Sequence, residues 1–268
     1  MSATTAELSR HTERAAAQYL LQRYTGPGNP MGTQVLSIGG TFATKVPFLK
    51  HNALMNTAHH LEDPALLPEV VAFYAATEQP CWITVLPYTP VAVTDALTRS
   101  GFRVESYSSM MVASPVPQPL PGDADVEEIG RDQLDVFLDT LNVGFDASPT
   151  ALVNLRRNQS FWCDVPGWHL FLARVDGAPA GAAVLSIHDD IGYLAAGSVL
   201  PQFRGRGLQT ALIAARMKRA AARRCSVVCG GAAWDSQSQR NQQRAGLAIA
   251  HVKTIWTNCQ IPSAERPR

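Results

Sequence analysis

Gln202, Arg204, Gly205, Arg206 and Gly207 stand in a short run that ends at the start of an alanine-rich helix. Glycine accepts left-handed dihedrals at little cost and lets backbone come close to a ligand. The first N–H groups of a helix have no intrahelical acceptor and favour an anion in front of them. Arg204 and Arg206 can add charge-assisted bonds, and no Asp or Glu occurs from Val199 to Trp234. The chemistry implied is the cradling of a phosphate or pyrophosphate. A nucleotide-triphosphate loop would need Gly-Lys-Ser/Thr where Leu208-Gln209 stand, and a dinucleotide fold would carry a third glycine early in the chain.

The elements around this turn follow from hydrophobic spacing. Strands are expected over 126–129, 168–175, 180–187, 191–200, 225–230 and 247–258, and helices over 131–142, 151–161, 208–224 and 236–244. Leu208, Ala211, Leu212 and Ala215 form the buried stripe of the helix after the turn, and Gly246 ends the last helix. Upstream, helices over 69–76 and 94–100 alternate with strands over 81–86 and 103–113, and Gly101-Phe102 closes the second helix. Residues 1–24 show helical spacing of apolar positions without a signal-like apolar core. Ser114 to Gly122 carries proline at alternate positions, which breaks helix and strand and marks a boundary.

Gln202-x-x-Gly205-x-Gly207 resembles the acyl-CoA loop of the GCN5-related N-acetyltransferases (GNAT), whose signature is Gln/Arg-x-x-Gly-x-Gly/Ala. The helix ending in Gly246-Leu247 resembles the family's second element, a helix closing in Gly-Phe before a strand. The likeness extends over about 123–258. It implies an α/β (α+β) fold of two GNAT-like domains, each a mixed, mostly antiparallel sheet flanked by helices. Residues 1–113 form a degenerate copy without a phosphate cradle, 114–122 the linker, and 123–268 the catalytic domain. An unrelated α+β domain is the alternative for 1–113.

The resemblance implies an acetyl-CoA-dependent N-acyltransferase, with the pantetheine running along Gly197, Ser198, Val199 and Leu200. Val199 would offer its N–H to the oxyanion. Ser198 is either a catalytic hydroxyl or a plain strand residue. Cofactor contacts are expected from Val199, Leu200, Gln202, Arg204, Gly205, Arg206, Gly207, Leu208, Gln209, Asn241 and Arg244. At the position where many members carry a tyrosine acid stands Gln242, which cannot donate a proton. Asn241, Ser236, Ser238 or water then assists the thiolate, or it leaves as the anion, which its ordinary pKa near 8.5 permits. For the base, Asp146, Asp164, His188, Asp189, Asp190 and Tyr193 stay open. Trp168 and His169, at a strand start, read as core.

Lys+Arg 23 against Asp+Glu 22 leaves a net charge of +1, which speaks against a nucleic-acid binder. It also speaks against a tandem transferase using aminoacyl-tRNA. Acidic residues from Asp123 to Asp139 read as a solvated face. Five cysteines, Cys81, Cys163, Cys225, Cys229 and Cys259, form neither a disulfide framework nor a metal quartet. No apolar run is long enough for a membrane span, so a cytoplasmic protein is expected, with acetyl-CoA as cofactor and no metal. Its acceptor would be an amine of a small molecule or protein. It would meet neither nucleic acid nor membrane and have, at most, a second copy of itself as partner in a homodimer. A CoA-binding protein without catalysis is the competing reading.

Overall fold

The computed structural model describes residues 5–116 and 125–258. In chain order they form α1 (Thr5–Tyr24), β1 (Gln34–Ile38), β2 (Thr41–Lys45), β3 (Thr57–His59), α2 (Leu67–Ala75), β4 (Trp82–Val85), α3 (Val91–Arg99) and β5 (Arg103–Ala113). There follow β6 (Asp125–Glu128), α4 (Leu134–Gly144), α5 (Pro149–Gln159), β7 (Trp168–Val175), β8 (Ala178–His188) and β9 (Ile191–Val199). The chain closes with α6 (Leu208–Ala222), β10 (Val227–Ala233), α7 (Gln237–Arg244) and β11 (Ala248–Thr257). Among the described residues no helix is long and apolar enough to cross a membrane. Cys259 and residues 117–122 of the expected linker lie outside the described residues.

The packing forms two compact units, and neither follows the linear order expected from the proline-rich stretch. One joins the chain up to Pro30 with Ser109–Ala250; the other joins Met31–Ser108 with the stretch from His251. The reason lies in two long-range choices. α1 packs on β8, β9 and β10 rather than on its sequence neighbours. β11 pairs antiparallel with β4, Thr254 opposite Val85 and Thr257 opposite Trp82.

In the second unit β1, β2 and β3 pair antiparallel and β3 runs parallel to β4. α2 and α3 cover a core of Val70, Tyr74, Ile83, Val93, Leu97 and Phe102. β2 is buried at every position, including Lys45, whose ammonium donates to Phe73 O at 2.6 Å.

In the first unit β6, β7, β8 and β9 form an antiparallel meander, and β9 runs parallel to β10. β5 lies on the other side of β10, with Ser109 Oγ donating to Ala232 O at 3.3 Å. The mixed, mostly antiparallel sheet flanked by helices agrees with the expected class. α6 buries Leu208, Ala211, Leu212 and Ala215 as its spacing requires. Against the opposite face of β9 and β10, Ala15 and Ala16 of α1 meet Ile191 and Cys229.

Candidate active site

Two irregularities open the sheet at β9. The register between β8 and β9 shifts between Ala183, opposite Gly197, and Leu185, opposite Leu194, so β9 contains one extra residue there. Such a bulge bends the strand and interrupts pairing. On its other edge β9 pairs with β10 over Ile191–Tyr193 and Val227–Cys229 only. Past that point the two strands separate.

The orientation of the unpaired backbone follows from one bond. Leu200 N donates to Ala180 O at 2.9 Å, which makes 200/180 and 198/182 the hydrogen-bonded pairs of the antiparallel ladder. The N–H of Val199, between them, therefore points away from β8 to the open edge. Its carbonyl faces the same way and accepts from Arg204 Nε at 3.2 Å.

A short 3-10 turn (Pro201–Phe203) then leads into Gly205 and Gly207, with φ of 80° and 77°. An added Cβ at either would meet nothing within 4 Å, so the left-handed backbone, not lack of space, calls for glycine. Gly207 is the N-cap of α6 and supplies no side-chain cap, and the first turn holds no acid. The amides of Leu208, Gln209 and Thr210 consequently face the cleft without an intrahelical acceptor.

The cleft measures about 730 Å³. Of the expected residues it brings together Gly197, Ser198, Val199, Arg204, Gly205, Gly207, Leu208, Gln209, Ser238, Asn241 and Arg244. Leu200, Gln202 and Arg206 are not among its walls. The Arg206 guanidinium instead stacks over the Phe203 ring at 5.6 Å, and Gln202 is exposed. Arg204 is partly committed to structure, since Nη2 also donates to Gly144 O at 3.2 Å. Asn241 Oδ1 accepts from Gln237 Nε2 at 2.8 Å and from Arg244 Nη1 at 3.1 Å.

Ser198 is a strand residue here: its buried hydroxyl donates to Leu141 O at 2.9 Å. Gln242 is buried with Nε2 donating to Gly231 O at 3.4 Å and is not a wall of the cleft. Ser236 caps α7 by accepting from Gln239 N. Among the base candidates, His188, Asp189 and Asp190 lie at the opposite end of β9 from Val199, roughly 26 Å away by strand rise. Asp164 is paired with Arg131. Burial raises the pKa of Tyr193 well above its usual range and keeps it protonated. Asp146 alone of them follows directly on two residues of the cleft wall, Gly144 and Phe145.

Gly144 and Phe145 are walls of the cleft that spacing did not reveal, because the helix was expected to end at Asn142. A Cβ at Gly144 would stand 2.4 Å from Ser198 Oγ, so only glycine lets α4 close on β9. Trp168 is core, as expected, whereas His169 is only half-buried, with Nδ1 2.7 Å from Glu128 Oε1.

Residues 135–246 match the Acetyltransferase (GNAT) family. The chain carries a GNAT domain. Solved structures extend the likeness of fold to almost the whole chain. A GCN5-related N-acetyltransferase from Kribbella flavida superposes with a TM-score of 0.67 at 14% identity, covering 95% of this chain and 97% of its own. A tandem GNAT protein from the clavulanic acid biosynthesis pathway gives 0.61 at 15%, covering 93% and 97%. A GCN5-related N-acetyltransferase from Sphaerobacter thermophilus gives 0.61 at 14%, covering 90% and 84%. No curated protein matches the sequence. The open β9 edge and the uncapped α6 N-terminus both lie inside the matched GNAT segment.

Proposed function

We propose that the chain transfers an acetyl group from acetyl-CoA directly to an amine while both are bound. The observation that carries this reading is the continuity of an unpaired strand edge with an uncapped helix N-terminus in one cleft. Such a surface suits a long ligand with an amide-bearing arm and a pyrophosphate. Acetyl-CoA supplies an activated acetyl thioester.

The amides of Leu208, Gln209 and Thr210 bind the pyrophosphate, with Gly205 and Gly207 allowing close approach. The open edge from Gly197 to Val199 pairs with the arm. Val199 N–H donates to the thioester oxygen and stabilises the charge that grows there as the amine nitrogen bonds the acyl carbon. When the C–S bond breaks, Asn241 or water faces the sulfur, which leaves as thiolate. The amine gives up its surplus proton to water or Asp146. Gln242 takes no part in proton transfer. The acceptor is an amine of a small molecule or protein, and the chain works in the cytoplasm where acetyl-CoA is supplied.

The burial of Gln242 against β10, with no acid in the tyrosine's place, favours a second reading, CoA binding without turnover. A thiol-release assay with acetyl-CoA and a broad amine panel separates the two. Amine-dependent release above the no-amine blank supports transfer; binding of acetyl-CoA without release supports the second reading.

A further inference from the structure

Arg216 lies in the middle of α6 with its side chain sealed, 2% exposed, on the face turned to β8 and β9. Its Nε donates to Leu212 O at 3.0 Å within its own helix, and its Nη1 bridges Val184 O at 3.1 Å and Ala195 O at 3.2 Å. Those two carbonyls belong to opposite strands of the β8–β9 bulge. Between the pairs 183/197 and 185/194, β8 has only Val184, whereas β9 has Ala195 and Ala196. The guanidinium thus spans the ladder where it is interrupted. Its Nη2 reaches the back of the cleft wall, 3.5 Å from where a Cβ on Gly197 would stand.

Nothing in the packing of α6 calls for a charge at this position. The neighbours on its buried face are Leu212, Ile213, Met217 and Ala220. Among the groups around Arg216 the phenol of Tyr19 favours its charge, and burial outweighs that influence, lowering the pKa to about 10. An apolar side chain of similar length would be less costly there than a buried cation without a carboxylate partner. The three carbonyls that accept from it are what arginine supplies and an apolar residue cannot.

The extra residue of the bulge sets the phase of everything after it on β9, because a slip of one residue turns each backbone amide to the other edge. With the extra residue at Ala195–Ala196, Ser198 pairs with Ala182 and Leu200 N bonds Ala180 O, which leaves Val199 N–H at the open edge. Were the bulge to move beyond Val199, the N–H of Val199 would turn to β8 and that of Ser198 to the cleft. We propose that Arg216 is a positioning residue for the transfer: it locks the bulge at Ala195–Ala196 and so keeps the amide of Val199 aimed at the thioester. The inference rests on the transfer reading. Sealed behind the strand, Arg216 touches neither cofactor nor acceptor and acts through the backbone of β9 alone.

Arg216→Met in the full chain tests this, since methionine keeps the apolar stem and removes the charge and the three bonds. The variant should keep or raise the urea midpoint and bind acetyl-CoA within about fivefold of the wild type, the turn into α6 being intact, while kcat at saturating acetyl-CoA and amine falls about 100-fold. Arg216→Lys, which still carries donors, should regain about tenfold of that loss. A folded Arg216→Met with kcat within about threefold of the wild type overturns the proposal, and so does a loss of kcat shared in proportion by stability and cofactor affinity. Should Arg216→Met not fold, Arg216→Gln is read by the same split. Amide hydrogen exchange without ligand gives a second readout: in the variant Ser198 and Leu200 should lose about tenfold in protection and Val199 gain it, with α6 unchanged. Identical protection in both proteins overturns the proposal. If no amine consumes acetyl-CoA, the transfer reading fails separately, and the exchange pattern alone decides whether Arg216 holds the bulge.

Discussion

Leu200 donates its amide to the carbonyl of Ala180 at 2.9 Å, and that bond turns the neighbouring amide of Val199 toward the cleft. A proline at 199 keeps an extended backbone and loses only an N–H that β8 does not use. Val199→Pro should therefore lower kcat by about 10²–10³ while leaving acetyl-CoA affinity within a few-fold. Steady-state kinetics beside calorimetry checks this; an unchanged kcat would remove the oxyanion role from Val199.

Gln242 contacts Gly231 O and abuts Gly230 rather than the cleft. Gln242→Ala should reduce kcat by less than about tenfold, against the 10²–10⁴ of a positioned general acid. A thousandfold loss in turnover would show that the amide performs a step in the reaction.

Burial pushes Tyr24 up to about 12 and raises Tyr19, Tyr74 and Tyr193 as well. The folded pKa lies above the unfolded value near 10, so these groups stabilise the fold fully below pH 10 and progressively less as pH rises toward 12. Arg216, lowered by burial to about 10, acts in the opposite sense: its charge costs stability below that pH and less above it. Absorbance at the tyrosinate band should show four of the six tyrosines ionising late, together with loss of tertiary structure. Six ordinary titrations near 10 would contradict the buried cluster.

α1 covers β8, β9 and β10, and Ser109 bonds Ala232, so residues 123–268 alone lack two pieces of their own unit. A fragment of 123–268 should aggregate or unfold at markedly lower denaturant than the full chain. A fragment with the full chain's midpoint and turnover would show that α1 is dispensable.

Much of this was readable locally. β5 and β7 run over the residues their alternation predicts, and the turn into α6 announced itself by glycines that adopt positive φ. β1 to β3 were not seen, because they are short and β2 is buried on both faces, which removes the period-two signal. The partners of α1 and β11 were hidden for another reason: pairing across much of the chain leaves no trace in local spacing. Tyr19, Arg23 and Tyr24 look like a solvated stretch of helix in sequence, and only packing against Trp162 and Tyr193 reveals a buried cation.

The central claim is that the cleft at the N-terminus of α6 holds acetyl-CoA. Calorimetric titration of the full chain and of Gly205→Asp tests it most directly. Aspartate at φ 80° places a strained anion in front of the uncapped amides. One site per wild-type chain and at least a tenfold weaker affinity in the variant, about 1.4 kcal/mol or more, is the predicted result. Two sites, or an affinity unchanged by Gly205→Asp, would contradict it.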